Sequence, residues 1–141
     1  MKLSAKTEYA CLAVLSLAQD FATDRPAQIR RIAAEQRIPD RFLVQILLEL
    51  KRSGLVTSTR GAAGGYRLAR PPHEISLADV IEAVEGEERP ASSLSRPTPL
   101  SSALLDACDA ACEAKRSYLQ TVTLADLLEQ AVHAREPMWY I

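Results

Sequence analysis

The hexapeptide Arg60-Gly61-Ala62-Ala63-Gly64-Gly65 limits what this chain can build more than any other segment. It lies between two β-prone runs, residues 55–59 (Leu-Val-Thr-Ser-Thr) and 66–69 (Tyr-Arg-Leu-Ala). Two such runs joined by a short glycine-rich connection predict a two-stranded hairpin with an exposed tip. Glycine supplies positive φ there and lets the backbone approach another surface closely. Arg70-Pro71-Pro72 stops the second strand, because proline has no N–H to give a ladder.

Three helical patterns precede the hairpin. Residues 4–19 carry Tyr9, Leu12, Ala13 and Leu17 at helical spacing, with Ser4 as the expected N-cap. Residues 21–26 read as a loop. A second helix is expected over 27–36, with Ile29, Ile32 and Ala33 on one face. Pro39 and Asp40 mark a tight turn, with Asp40 as the expected cap of a third helix over 41–53. In that helix Leu43, Ile46, Leu47 and Leu50 recur at i, i+3, i+4 and i+7, a single buried stripe. Its other face carries Arg41, Val44, Gln45, Leu48, Lys51 and Arg52, and Gly54 follows at the C′ position.

After the hairpin, a fourth helix is expected from Ser76 to about Glu85, closed by Gly86. Residues 87–99, with three prolines and several serines, read as a flexible linker or an ordered loop. A long helix is expected over 100–120, apolar through Leu104, Ala107, Ala111, Ala114 and Tyr118, and a last one begins near Thr123. The fold class is therefore mainly α: a winged helix-turn-helix unit over residues 1–86, a connection over 87–99, and a helical unit over 100–141. No internal repeat is visible.

Charge divides along the same line. Residues 1–70 hold 12 of the 17 Lys and Arg but only 6 of the 18 Asp and Glu, a balance of +6. The remainder carries −7, which hides the asymmetry in a net charge of −1. A basic module facing a polyanion, joined to an acidic self-associating module, gives this pattern, and so does chance segregation of solvated charge. No apolar run approaches the roughly 20 residues of a membrane-spanning helix, and the N-terminus has no signal-peptide core. The expected location is the cytoplasm. Cys11, Cys108 and Cys112 are too few and too scattered for a disulfide scaffold. No nucleophile–base pair, phosphate loop or metal quartet is present, and His73 and His133 stand alone, so an enzyme is not expected.

Three helices followed by a hairpin place the third helix in the major groove and the hairpin, as a wing, on flanking DNA. Arg41 and Gln45 sit one turn apart at the start of that helix. Arg suits guanine O6 and N7, and Gln suits adenine N6 and N7. Phe42 can meet a thymine methyl or support the helix instead. Lys51 and Arg52 are placed for phosphates, and Arg60 at the wing root for a narrow minor groove. Lys2 and Lys6 add charge near the DNA backbone, and Gly61, Gly64 and Tyr66 complete the expected interface. The competing reading is a winged-helix scaffold that binds only proteins.

Residues 1–10 (Met-Lys-Leu-Ser-Ala-Lys-Thr-Glu-Tyr-Ala), 38–47 (Ile-Pro-Asp-Arg-Phe-Leu-Val-Gln-Ile-Leu) and 60–72 (Arg-Gly-Ala-Ala-Gly-Gly-Tyr-Arg-Leu-Ala-Arg-Pro-Pro) together resemble the Rrf2 family of bacterial transcription regulators. Residues 121–127 also look like the family's segment after its dimerisation helix. The resemblance implies a homodimer built on the long helix, binding a pseudo-palindromic operator, usually as a repressor. It also implies DNA contacts from Arg41, Phe42, Gln45 and Arg60.

Many Rrf2-like regulators hold an iron–sulfur cluster through three cysteines in the loop before the long helix. Here that loop, 87–99, has none. Cys108 and Cys112 lie one turn apart inside the long helix, half of the four ligands a cluster usually takes. Some relatives draw an acidic ligand from position 8, so Glu8 with Cys108 and Cys112 is the alternative metal set. A thiol switch is a second alternative. The favoured reading has no cofactor and treats the three cysteines as small apolar packing groups.

Overall fold

The structure, a computed structural model, describes residues 1–134. The stretch 135–141, the end of the expected C-terminal unit, lies outside them. The described residues form α1 (Ala5–Gln19), α2 (Ile29–Gln36), α3 (Asp40–Arg52), β1 (Val56–Thr59), β2 (Gly65–Leu68), α4 (Leu77–Glu85), α5 (Pro99–Thr121) and α6 (Leu124–Ala134). Short 3-10 turns at Phe21–Thr23 and Pro72–Glu74 sit within connections.

Local chemistry explains most boundaries. Ser4 Oγ accepts the Thr7 N–H and caps α1. Ser76 and Asp79 exchange hydrogen bonds in a capping box at α4, as Thr98 and Ser101 do at α5. Pro99 takes the first turn of α5, where its fixed φ suits a helix and its missing N–H costs nothing, so α5 begins one residue before the expected 100. Residues 87–98 contain no helix or strand.

Two expectations need correction. The second helix starts at Ile29 rather than 27, because Ala27 is held in an extended bridge with Tyr66 and both exchange backbone hydrogen bonds of 2.8 Å. Asp40 is not the cap of α3. Pro39 occupies that position, and Asp40 sits in the first turn without a side-chain capping bond, where its charge still complements the helix dipole.

The core is assembled around α3. Leu43, Ile46, Leu47 and Leu50 are buried, as their spacing predicts, against Ala10, Val14 and Leu17 of α1 and Val80 of α4. Val56 and Leu68 pair across the root of the antiparallel hairpin and are buried too. Leu124 of α6 is fully buried in the same cluster. The chain after the long helix thus returns to the first half. Leu124 N–H donates to Ile75 O at 3.0 Å, and Leu77 N–H donates to Val122 O at 2.9 Å.

The long helix α5 differs from the rest. It lies along α4, yet none of its residues is buried. Leu104 is 64% and Tyr118 67% exposed, and Ala107, Ala111 and Ala114 between them are exposed as well. These five form one stripe at helical spacing.

Candidate nucleic-acid interface

The exposed face expected to meet DNA lies on the first half of α3. Arg41, Phe42 and Gln45 are exposed, while the interleaved Leu43 and Ile46 anchor the helix in the core. Phe42 does not stand alone. Its ring lies 6.2 Å from that of Tyr9 on α1, and the Arg41 guanidinium lies 5.0 Å above it. A cation over an aromatic face is attracted by the ring quadrupole, so this stack restricts Arg41 before any partner arrives. Of the two roles open to Phe42, the geometry supports packing. Tyr9, which periodicity places only in the core stripe, also supports the Phe42 ring.

Farther along, Lys51 Nζ donates to Ser58 Oγ of β1 at 2.7 Å, which ties the end of α3 to the wing. Arg52 and Arg60 are exposed. Among the described residues, Arg41, Lys51, Arg52 and Arg60 have no carboxylate within ion-pair distance. Four unneutralised cations on one helix and the adjoining hairpin make a surface suited to a polyanion.

The wing is anchored from below. The Ala27 bridge to Tyr66 adds a short third rung beside β2, and Gln28 Nε2 donates to Ala62 O at 3.2 Å. Tyr66 is half-buried against the core, so its side chain supports the wing from within. Gly64 is buried, and a Cβ there would overlap the Thr59 carbonyl oxygen and lie 2.8 Å from the Arg60 carbonyl carbon. At Gly65, with φ of 152°, a Cβ would overlap the Ala27 carbonyl. The close approach expected of these glycines is therefore to the protein's own backbone. Gly61, with φ of 104°, is exposed and meets nothing.

The remaining expected contacts are dispersed. Lys6 pairs with Glu49 of α3 at 3.0 Å, which fixes α1 against α3. Lys2 lines a cleft between α4 and α5. Sequence reasoning passed over Arg30 on α2 and Arg37 in the turn before α3. Both are exposed, and Arg37 adopts a left-handed conformation with φ of 58°. The signal available was their position in the helix-turn-helix corner, beside the third helix.

The thiols do not converge. Burial pushes the Cys11 thiol up to about 11, with the Glu85 charge adding to the shift, so it stays protonated and packs against the core. Cys112 is half-buried, whereas Cys108 is exposed. Packing accounts for Cys11 but not for Cys108, whose place on α5 leaves it facing outward. Glu8 is exposed in the first turn of α1. Among the described residues, no three His, Cys, Asp or Glu side chains gather as a metal-binding group. The donor set of one chain, a thiol turned into the core, two thiols on one helix and a loop without cysteine, does not supply the four converging ligands of an iron–sulfur cluster.

Comparison with known proteins agrees with the fold. Residues 3–130 match the Rrf2 family, described as an iron-dependent transcriptional regulator. A Mycobacterium tuberculosis chain provisionally named an HTH-type transcriptional regulator is 41% identical over 134 residues, covering 90% of this chain and 81% of the relative. The HTH-type transcriptional regulator CymR of Bacillus subtilis is 31% identical over the whole of both chains. Among solved structures, T. potens IscR superposes with a TM-score of 0.80 at 32% identity, covering 99% of this chain and 95% of that one. With three helices, a glycine-tipped wing and an uncompensated basic face, the chain belongs to the Rrf2 family of winged helix-turn-helix, DNA-binding transcription regulators.

Proposed function

We propose that the chain works in the cytoplasm as a homodimeric repressor on a pseudo-palindromic operator, and carries out no catalysis. In this reading residues 1–86 bind DNA, 87–99 connect, and 100–141 provide the dimerisation helix. Arg41 and Gln45 read base edges; Lys51, Arg52 and Arg60 hold phosphates or the minor groove, with Gly61 at the wing tip. The observation that carries it is the set of exposed cations on α3 and the wing without carboxylate partners. The stripe Leu104, Ala107, Ala111, Ala114 and Tyr118 supports pairing of two copies along α5. Two recognition helices so joined must lie about 34 Å apart to enter successive major grooves.

Phe42, Val44 and Leu48 are also exposed on α3 and would suit a protein partner. Salt separates the two readings. Three phosphate contacts per subunit predict a log–log slope of about −5 for the dimer on duplex DNA, and a protein scaffold predicts no duplex affinity to titrate. Arg41→Ala is expected to relax preference at one base position, by about 1–3 kcal/mol, while Lys51→Ala weakens all duplexes alike. Equal effects of the two substitutions across a panel of operator variants would contradict these roles.

We further propose that no cluster is held, on the non-convergence of Cys11, Cys108 and Cys112. Protein purified without oxygen is then expected to be colourless, with iron far below one atom per chain. Stoichiometric iron with a visible absorption band would overturn this and make Glu8, Cys108 and Cys112 the ligands to replace.

A further inference from the structure

A cleft of about 480 Å³ opens between α4, the start of the 87–98 segment and α5. It lies on the side of α5 turned away from the apolar stripe, since Cys112 and Leu119 face it while Ala111 and Tyr118 do not. A cleft of this size lies within the range of small-molecule sites. Ile81 of α4 and Leu119 of α5 give it an apolar wall, and its rim is charged.

Most of that charge is already matched. Arg89 pairs with Glu87, Lys115 with Glu88, and Arg116 with Glu82. The Glu85 carboxylate accepts from the hydroxyls of Ser4 and Thr7, which hold its carboxyl below the usual range. What is left over is negative. Asp109 and Glu113, one turn apart on α5, line the cleft; both feel the charge of Arg89, and Glu113 that of Arg116, yet among the described residues neither has a cation within ion-pair distance. The α4 helix also ends here with no basic residue in its last turn, so its final carbonyls add negative potential. Lys2, from the segment before α1, is a cation on this rim without a carboxylate partner.

We infer that this cleft is an effector site for a small aliphatic amine, with the ammonium held by Asp109 and Glu113 and the hydrocarbon laid on Ile81 and Leu119. An ammonium donates charge-assisted hydrogen bonds to two carboxylates, an anion is repelled, and a neutral ligand gains no such contact. The effector role rests on the regulator reading above. Its physical route is short: Glu85 on the cleft is bonded to Ser4 and Thr7 in the first turn of α1, and Lys6 in that same turn pairs with Glu49 on α3.

Calorimetry on the full chain without DNA, titrated with 1,5-diaminopentane and separately with pentanoate, tests the site. Saturable binding of the diamine alone is expected, weakened at least tenfold by the pair Asp109→Asn and Glu113→Gln. Both side chains are exposed, so the double variant keeps the fold. At constant ionic strength, saturating diamine is expected to change duplex affinity threefold or more in the wild type and not in the double variant. That comparison removes the diamine's own attraction to phosphates. Absence of saturable binding, equal binding of pentanoate, unchanged binding in the double variant, or the same duplex response in both proteins would each overturn the inference. If the protein binds no duplex even without diamine, the regulator reading fails, and with it the effector role, while the calorimetry decides the binding site by itself.

Discussion

Gly64→Ala is expected to lower stability by about 2–4 kcal/mol and duplex affinity at least tenfold, well beyond an ordinary surface substitution. The new methyl group would occupy the space of the Thr59 carbonyl oxygen, and the hairpin has little freedom to make way. Gly64 N–H already donates to Gly61 O at 3.0 Å, and the next residues are fixed to Ala27. Relief therefore means breaking the wing away from its base, which removes Arg60 from its position and leaves backbone groups unpaired. Gly61→Ala is the control. It sits in open space and bears only the strain of a positive φ, about 1–2 kcal/mol. Urea midpoints and duplex titrations on the two variants measure both effects. Equal midpoints for Gly64→Ala and wild type would show that the tip relaxes freely.

The second large effect is expected at Leu104→Glu. At 64% exposure this side chain contributes little to the fold of a single chain, so helical content should survive. In a pair of α5 helices the same position would bury an unpartnered carboxylate, at a cost of several kcal/mol. Sedimentation is expected to show a monomer at micromolar concentration. Affinity for a two-site operator is expected to fall about 100-fold or more, because the second half-site no longer binds as a tethered unit. The single half-site affinity should change far less. A variant that stays dimeric with unchanged operator binding would place the subunit interface elsewhere.

How much of this was legible from the residues depends on distance along the chain. The stripe of α3, the caps at Ser4 and Ser76, and the hairpin are local patterns, decided by neighbours within about four positions, and each lies where the spacing puts it. The shortened α2 was not legible, because Ala27 is claimed by Tyr66, nearly forty residues later. The Tyr9–Phe42–Arg41 stack has the same origin in two helices whose faces meet only in the folded chain. Glycine content announced a tight approach but not the surface approached. The cleft is less readable still, since its wall comes from α4 and α5 and its neutralised rim depends on which carboxylate each cation reaches. Periodicity gives the face of a helix, not what meets it.

The hydrogen-bonded junction of Ile75, Ser76 and Leu77 with Val122, Thr123 and Leu124 fixes one end of the long helix. The other end, at Pro99, is joined to α4 by the thirteen residues 86–98, without helix or strand. A rod of 23 residues, about 34 Å long, is thus bonded through its backbone at its base and braced partway along by the Arg116–Glu82 and Lys115–Glu88 pairs. A tilt of about 5° about that base would carry the tip through about 3 Å, since displacement is length times angle. The cleft lies beside the rod between base and tip, so a wedge there would act with mechanical advantage. A small local filling would then become an ångström-scale displacement at Leu100 and Leu104, the most distant part of the exposed stripe.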